Sequence, residues 1–160
     1  MNPKVLLPLD CSEGAWRAVE YVAHAFGQTP GIEVTLLHIL DSLPAVFWDD
    51  GHILQEDERV ARQRLIAHWE SEQEKTCSGL FARAKERLVG AGVPAGSVQG
   101  TFKPITVDVA EDIVAEALSG GYDTIVLGRR GLGAAKSIIL GSVAYKVLQN
   151  ARGCAVTIAE

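Results

Sequence analysis

The sequence has few residues of the kinds that build metal centres, disulfide frameworks or membrane spans. Its three cysteines, Cys11, Cys77 and Cys154, are isolated, odd in number and far from any Cys-x-x-Cys spacing. We therefore expect buried free thiols rather than a redox or metal site. The four histidines are scattered, with no pair at metal-ligand spacing, and are expected to be packing or surface residues.

Long apolar runs are also missing. The longest, such as Ile32 to Leu40, are too short to span a bilayer, and Pro8 and Asp10 interrupt the start before a secretory signal is complete. We expect a cytoplasmic protein with no membrane partner. A formal net charge of −5 disfavours non-specific binding to nucleic acid. The composition, with 48% hydrophobic and 22% charged residues, predicts a single globular domain over residues 1–160.

Patterns typical of strands and helices alternate along the chain. Five strands are predicted, at Lys4–Leu9, Ile32–Leu40, Val98–Phe102, Asp123–Leu127 and Cys154–Ala159. Four stretches with helical spacing separate them, and parallel strands need such crossovers. The series therefore predicts an α/β fold with one doubly wound, five-stranded parallel sheet and helices on both faces. Ligands of such sheets bind outside the carboxyl ends of the strands, where the winding reverses.

Several residues mark the ends and buried sides of the predicted helices. Ser12 is typical of a helix N-cap, and Asp108 followed by Glu111 resembles a capping box. Trp69 falls on the apolar stripe of the long second helix and is expected in the core. The segment from Ser119 to Thr124 spells a loop found in ATP pyrophosphatases, but here it ends a helix, so a glycine C-cap is predicted instead.

A set of glycines follows the fourth predicted strand. Gly128 comes directly after the strand, Gly131 follows, and Gly141-Ser142 begins the next helix. A phosphate must touch backbone N–H groups, and a side chain at these positions holds it off or forbids a positive φ. The helix N-terminus adds amides and the positive end of its dipole. Tight turns without a ligand explain the same glycines, so both interpretations stay open on the residues alone.

Positive charge is concentrated beside these glycines in an otherwise acidic chain. Arg129, Arg130 and Lys136 fall where a phosphate is expected. The Lys136-Ser137 pair is not a Walker A motif, which needs glycines where Arg130 and Ala135 stand.

The glycine pattern and three further segments together resemble the universal stress protein family. The pattern Gly128-x₂-Gly131-x₉-Gly141-Ser142 is similar to that family's nucleotide-binding signature. Val5–Glu13, Leu36–Ile39 and Asp123–Gly128 are similar to its first, second and fourth strands. The resemblance implies a Rossmann-like sheet with strand order 3-2-1-4-5. The resemblance also implies that the chain belongs to the ATP-binding subgroup of the family.

The resemblance further implies a set of binding residues, running from the adenine and ribose end to the phosphates. With the two arginines added for charge, the set is Pro8, Asp10, Ile39, Leu127, Gly128, Arg129, Arg130, Gly131, Gly141, Ser142 and Val143. Asp10 would accept hydrogen bonds from the adenine and ribose end. Ala144 stands where many ATP-binding members carry a hydroxyl residue.

The expected ligand is ATP, or ADP or AMP, with Mg²⁺ offsetting the phosphate charge. The resemblance also implies a homodimer formed through the last strand. We expect a regulatory or stress-response module. Two alternatives are a slow ATP hydrolase or phosphotransfer enzyme that uses the same pocket, and an interaction module that binds no nucleotide. Asp10 is the only candidate for a base, at the end of the ligand away from the reacting phosphate.

Overall fold

The computed structural model describes residues 2–41, 55–131 and 140–160. The described elements are β1 (Lys4–Pro8), α1 (Glu13–Phe26), β2 (Glu33–Leu40), α2 (Glu56–Gly90), β3 (Val98–Pro104), α3 (Val109–Gly120), β4 (Thr124–Gly128), α4 (Ser142–Asn150) and β5 (Ala155–Ala159). They follow the predicted order of strands and helices, and the strand ends lie within two residues of the predicted ones.

The five strands form one sheet in the order β3-β2-β1-β4-β5, and every neighbouring pair is parallel. The predicted doubly wound parallel sheet is therefore confirmed. β1 lies between β2 and β4, with Leu6 paired to Ile125, so the winding reverses between β1 and β4. β5 forms one edge of the sheet, as pairing of two copies through this strand requires, and that pairing stays a prediction.

Side chains of the central strands alternate between two hydrophobic clusters, one on each face of the sheet. In β1, Val5 and Leu7 pack into the cluster that includes α1 and α2, whereas Leu6 packs into the cluster that includes α3 and α4. All three are fully buried. Both faces are covered, and this explains why the strands are almost continuously apolar in sequence.

The long helix α2 contacts the core only through its second half. It has 35 residues, and those that are buried are Cys77, Phe81, Ala84 and Leu88. Leu65 is 54% exposed, and Trp69 is only half-buried. The prediction that Trp69 belongs to the core is therefore wrong. A helix of this length spans about 50 Å, whereas an eight-residue strand such as β2 covers about 26 Å, so the helix extends beyond the sheet.

The predicted helix ends are largely found. The Ser12 hydroxyl accepts a hydrogen bond from the Ala15 amide at 3.1 Å and caps α1. Asp108 caps α3 by accepting from the amides of Ala110 and Glu111. Gly121 ends α3 in the left-handed conformation with φ of 62°. The predicted glycine C-cap is therefore confirmed, because few other residues adopt this conformation without strain.

The first turn of α1 lies directly on the end of β4. A Cβ atom added to Gly128 would overlap the backbone carbonyl of Gly14, and one added to Gly14 would overlap the carbonyl of Arg130. Both positions thus require glycine for space, whether or not a ligand is bound.

We expect Asp108→Ala to lower the free energy of unfolding by about 1 kcal/mol, because two amides at the start of α3 lose their acceptor. Asp108→Asn keeps an acceptor and should cost less. A hydrogen bond from Lys146 and the two amides hold the pKa of Asp108 below its usual value. Its electrostatic contribution is present above that usual value and is lost as the pH falls through the folded-state pKa. Urea denaturation at several pH values measures both effects, and equal stability of all three proteins would contradict them.

We expect Gly128→Ala to destabilise the fold by about 1–3 kcal/mol, because the backbone of Gly14 must move to admit the methyl group. Gly79→Ala is the matched control. A Cβ at Gly79 meets no atom within 4 Å, and the residue lies on the exposed side of α2. This control should stabilise the protein by about 0.5–1 kcal/mol, through helix propensity. Denaturant midpoints measure the difference; if both variants shift in the same direction, the close packing is misassigned.

Candidate functional site

A cleft of about 690 Å³ lies at the carboxyl ends of β1, β2 and β4. α2 borders it on one side of the sheet, and α3 and the start of α4 border it on the other. Its predicted lining residues are Pro8, Asp10, Ile39, Leu127, Gly128, Arg130, Gly131, Gly141, Ser142 and Val143. The structure thus brings together all the residues of the predicted set except Arg129. What each residue binds stays a prediction at this point.

Arg129 connects the site to β5 rather than lining the cleft. Its guanidinium forms an ion pair with the carboxylate of Glu160. Its amide donates to the carbonyl of Ala159 at 3.0 Å, and its carbonyl accepts from the amide of Gly141 at 2.9 Å. The backbone of Arg129 therefore fixes the start of α4 against the end of the sheet, while its side chain points toward the chain terminus.

The turn after β1 meets the glycine segment after β4. Asp10 accepts hydrogen bonds from the backbone amide of Ser12 at 3.0 Å and from its hydroxyl. That hydroxyl also lies 3.5 Å from the carbonyl of Arg130. A Cβ atom on Gly131 would be 2.7 Å from the second carboxylate oxygen of Asp10. The Asp10 carboxylate is therefore oriented by Ser12 and lies beside the glycine segment.

The glycines of the site lie in crowded surroundings and do not adopt a positive φ. Gly128, Gly131 and Gly141 have no φ in the left-handed range; in the described chain that range holds Gly31, Gly92, Gly121 and Gly153. Gly141 has a φ of −66°, and a Cβ there would lie 3.3 Å from backbone atoms of Arg129 and Arg130. The expected left-handed backbone is wrong at these three positions. At Gly128 the backbone of Gly14 leaves no room for a Cβ atom, whereas a Cβ at Gly131 would press on the Asp10 carboxylate.

The start of α4 presents its free amides to the cleft. Gly141 is the N-cap, and Ser142 and Val143 are the first helical residues. The first amides of a helix have no partner within it, and the helix dipole makes this end positive. Arg130, half-buried, lines the same cleft. Ala144 is buried in the wall of the cleft. It therefore places a methyl group at the position for which the sequence comparison suggested a hydroxyl.

Several further residues line the cleft that were not anticipated from sequence, among them His38 and Trp69. His38, at the end of β2, is tied by its Nδ1 to the carbonyl of Leu9 at 2.7 Å, and its ring meets Phe102 edge-on at 6.2 Å. Trp69 lines the cleft from α2. The position of His38 near a strand end was a usable signal, whereas the side of α2 that faces the cleft depends on how this helix packs.

The cysteines differ from the expectation of buried thiols. Cys77 is buried, Cys154 is half-buried, and Cys11 is exposed. Both Cys11 and Cys77 line the cleft. Burial, followed by the neighbouring Cys11, raises the pKa of the Cys77 thiol to about 11.

Lys136, which was expected beside the phosphate, lies outside the described residues. In residues 2–41, 55–131 and 140–160, no group of three or more His, Cys, Asp or Glu side chains is arranged to hold a metal ion. No helix in these same ranges combines the length and the apolar character needed to cross a membrane.

Comparison with known proteins identifies relatives over almost the whole chain. The sequence model of the universal stress protein family matches residues 1–159. The universal stress protein YxiE of Bacillus subtilis (strain 168) is 26% identical over an alignment of 156 residues, and the match covers 93% of this chain and 93% of that one.

Solved structures agree with this relationship. The structure of hypothetical protein MJ0577 superposes with a TM-score of 0.73 at 25% identity, covering 99% of this chain and 96% of that one. The universal stress protein of Archaeoglobus fulgidus in complex with dAMP gives a TM-score of 0.59 at 18% identity, covering 100% of this chain and 98% of that one. With its 3-2-1-4-5 sheet and its glycine-lined cleft, the chain belongs to the universal stress protein family.

Proposed function

We propose that this chain binds an adenine nucleotide, preferring ATP, and acts as a regulatory module of the stress response. The observation that carries the proposal is the cleft where the winding reverses. There the Asp10 turn, the backbone at Gly131 and the amide end of α4 line one cavity. A volume of about 690 Å³ lies within the usual range for small-molecule sites.

The phosphates are assigned to the side of the cleft formed by Gly131, Gly141 and Ser142. Bare glycine backbone lets phosphate oxygens approach the amides, and the start of α4 adds its dipole and the Ser142 hydroxyl. Arg130 brings a permanent positive charge to the same cleft. This is the region of the site with the chemistry to hold a polyanion.

The base and ribose are assigned to the side lined by Pro8, Ile39 and Trp69. These side chains offer apolar surface of the kind that a purine ring packs against. The Asp10 carboxylate, already oriented by Ser12, accepts hydrogen bonds from the ribose hydroxyls. His38 fixes the neighbouring backbone through its bond to Leu9.

Relatives support an adenine nucleotide as the ligand. One universal stress protein structure is a complex with cAMP, at 16% identity and a TM-score of 0.61. The Archaeoglobus fulgidus structure is a complex with dAMP. Both ligands contain adenine and phosphate, and this chain shares the fold of both proteins.

Mg²⁺ is proposed to enter with the phosphates. Mg²⁺ prefers oxygen ligands, keeps several waters and commonly binds through substrate phosphates with few protein groups. That behaviour fits the described residues, in which no acidic cluster for a metal is found. Ser142 supplies a hydroxyl oxygen at the phosphate side. The ion offsets phosphate charge in a protein whose own net charge is −5.

The first experiment identifies the ligand. Purified protein is denatured, and the released nucleotides are identified by mass spectrometry. Refolded protein that is free of nucleotide is then titrated with ATP, ADP and AMP, with and without Mg²⁺. We expect an adenine nucleotide to be released and ATP to bind most tightly. No released nucleotide together with no detectable titration would refute the proposal. ATP that is steadily consumed over hours with Mg²⁺ would instead favour the hydrolase alternative.

We expect Arg130→Gln to weaken ATP binding by roughly tenfold to a hundredfold, the usual effect of losing a charged hydrogen bond. AMP binding should change much less, because its single phosphate needs less positive charge. Arg152→Gln is the matched control, since Arg152 is exposed and bonds only the carbonyls of Gln149 and Ala151 in the described contacts. Calorimetric titration at constant ionic strength measures all three proteins. Equal losses for ATP and AMP would place Arg130 away from the outer phosphates.

A further inference from the structure

Two cysteine thiols meet in the wall of the cleft. Cys11 lies in the turn between Asp10 and Ser12, and Cys77 is the first buried residue of α2. The Cys11 side chain is one of the groups that act on the Cys77 thiol, and both residues line the same cavity. They are 66 positions apart in sequence, so their spacing does not predict that they line the same cavity.

The two thiols differ in their access to solvent. Cys11 is exposed, whereas only 4% of Cys77 is exposed. A soluble oxidant therefore reaches Cys11 first, because the Cys77 sulfur is shielded from solvent. The third cysteine, Cys154, precedes β5 and packs against the cluster on the opposite face of the sheet.

We propose that Cys11 and Cys77 are an oxidisable pair that forms an intramolecular disulfide when the protein meets hydrogen peroxide. The Cys11 sulfur attacks the peroxide O–O bond, forming a sulfenic acid and releasing the other oxygen as water. The Cys77 sulfur then attacks the sulfenic sulfur, the S–O bond breaks, and a second water leaves. In total two thiols give up two electrons and two protons, and one peroxide becomes two waters.

The environment of Cys77 supports this order of events. Burial is the main cause that raises the pKa of its thiol to about 11, so Cys77 stays protonated at neutral pH. A protonated thiol reacts slowly with peroxide, because the thiolate is the nucleophile. Cys77 is therefore not the first site of attack, and its place in the same cavity wall as Cys11 makes it the resolving partner.

The disulfide would join two walls of the cleft. An S–S bond is about 2.05 Å long, shorter than any non-bonded approach of two thiols, so the bond draws the Cys11 turn toward α2. The neighbours of Cys11 are Asp10, which lies beside Gly131, and Ser12, whose hydroxyl is 3.5 Å from the carbonyl of Arg130. The movement pulls the Asp10 turn away from the glycine segment.

A consequence for binding follows, and it rests on the proposed function. The oxidised protein should bind ATP about tenfold more weakly than the reduced protein, within the usual range of coupling between two sites. Linkage requires the reverse effect as well, so bound ATP should make the disulfide easier to reduce by the same factor.

The experiment first tests the pair without any nucleotide. Protein freed of nucleotide is treated with peroxide, its free thiols are counted, and its peptides are mapped without reduction. We expect the count to fall from three thiols to one, with a linked peptide that contains Cys11 and Cys77. Dithiothreitol should restore all three. Three retained thiols, or a bridge that involves Cys154 or a second chain, would overturn the proposal.

Matched variants separate the roles of the two cysteines. Cys154→Ser should form the same bridge and retain no free thiol. Cys77→Ala should stop at a Cys11 sulfenic acid that dimedone traps, and Cys11→Ser, an exposed change, should keep both remaining thiols. Rapid loss of thiols in Cys11→Ser would show that Cys11 is not the first site of attack.

Calorimetry with ATP on reduced and oxidised protein then tests the coupling. A tenfold loss that dithiothreitol reverses supports the effect on the cleft. A bridge that forms while the ATP affinity stays equal would refute the coupling and leave the oxidisable pair established. Absence of binding to the reduced protein would refute the proposed function, whatever the thiol count shows.

Discussion

The close contact between the first turn of α1 and the end of β4 is the constraint on which the site depends. Gly128 has no room for a Cβ atom because of the Gly14 backbone, and Gly14 has none because of the Arg130 carbonyl. This contact holds the turn after β1 against the segment after β4, although more than a hundred residues separate them in sequence. Asp10 and Gly131 become neighbours as a result.

The fold was predictable because its signals are local and agree with one another. Strands buried on both faces are almost entirely apolar, as Val5, Leu6 and Leu7 show, and helices between them force parallel pairing. Ser12 and Gly121 marked helix ends through hydrogen bonds or backbone conformations that few other residues provide. The order of the strands came from the family resemblance, since several orders satisfy the same local signals.

The site was less predictable, because it depends on which side chains point together after packing. Glycines were correctly placed in the cleft, but the reason for them at Gly128 is the approach of Gly14 and not a left-handed backbone. Arg129 and Arg130 are adjacent and identical in type, yet one pairs with Glu160 and the other lines the cleft. Cys11 is exposed in a turn, and no periodicity distinguishes it from a buried thiol.

The length of α2 has a consequence for how the protein opens. Its buried residues all lie from Cys77 onward, so the preceding turns are stabilised mainly by their own helical hydrogen bonds within the described chain. Isolated helical turns are marginally stable in water. Amide hydrogens before Cys77 should therefore exchange with deuterium through frequent fraying, while those after it exchange only when the whole domain opens. The boundary between fast and slow exchange falls at the cleft, so a ligand held there would stiffen the helix from that point outward.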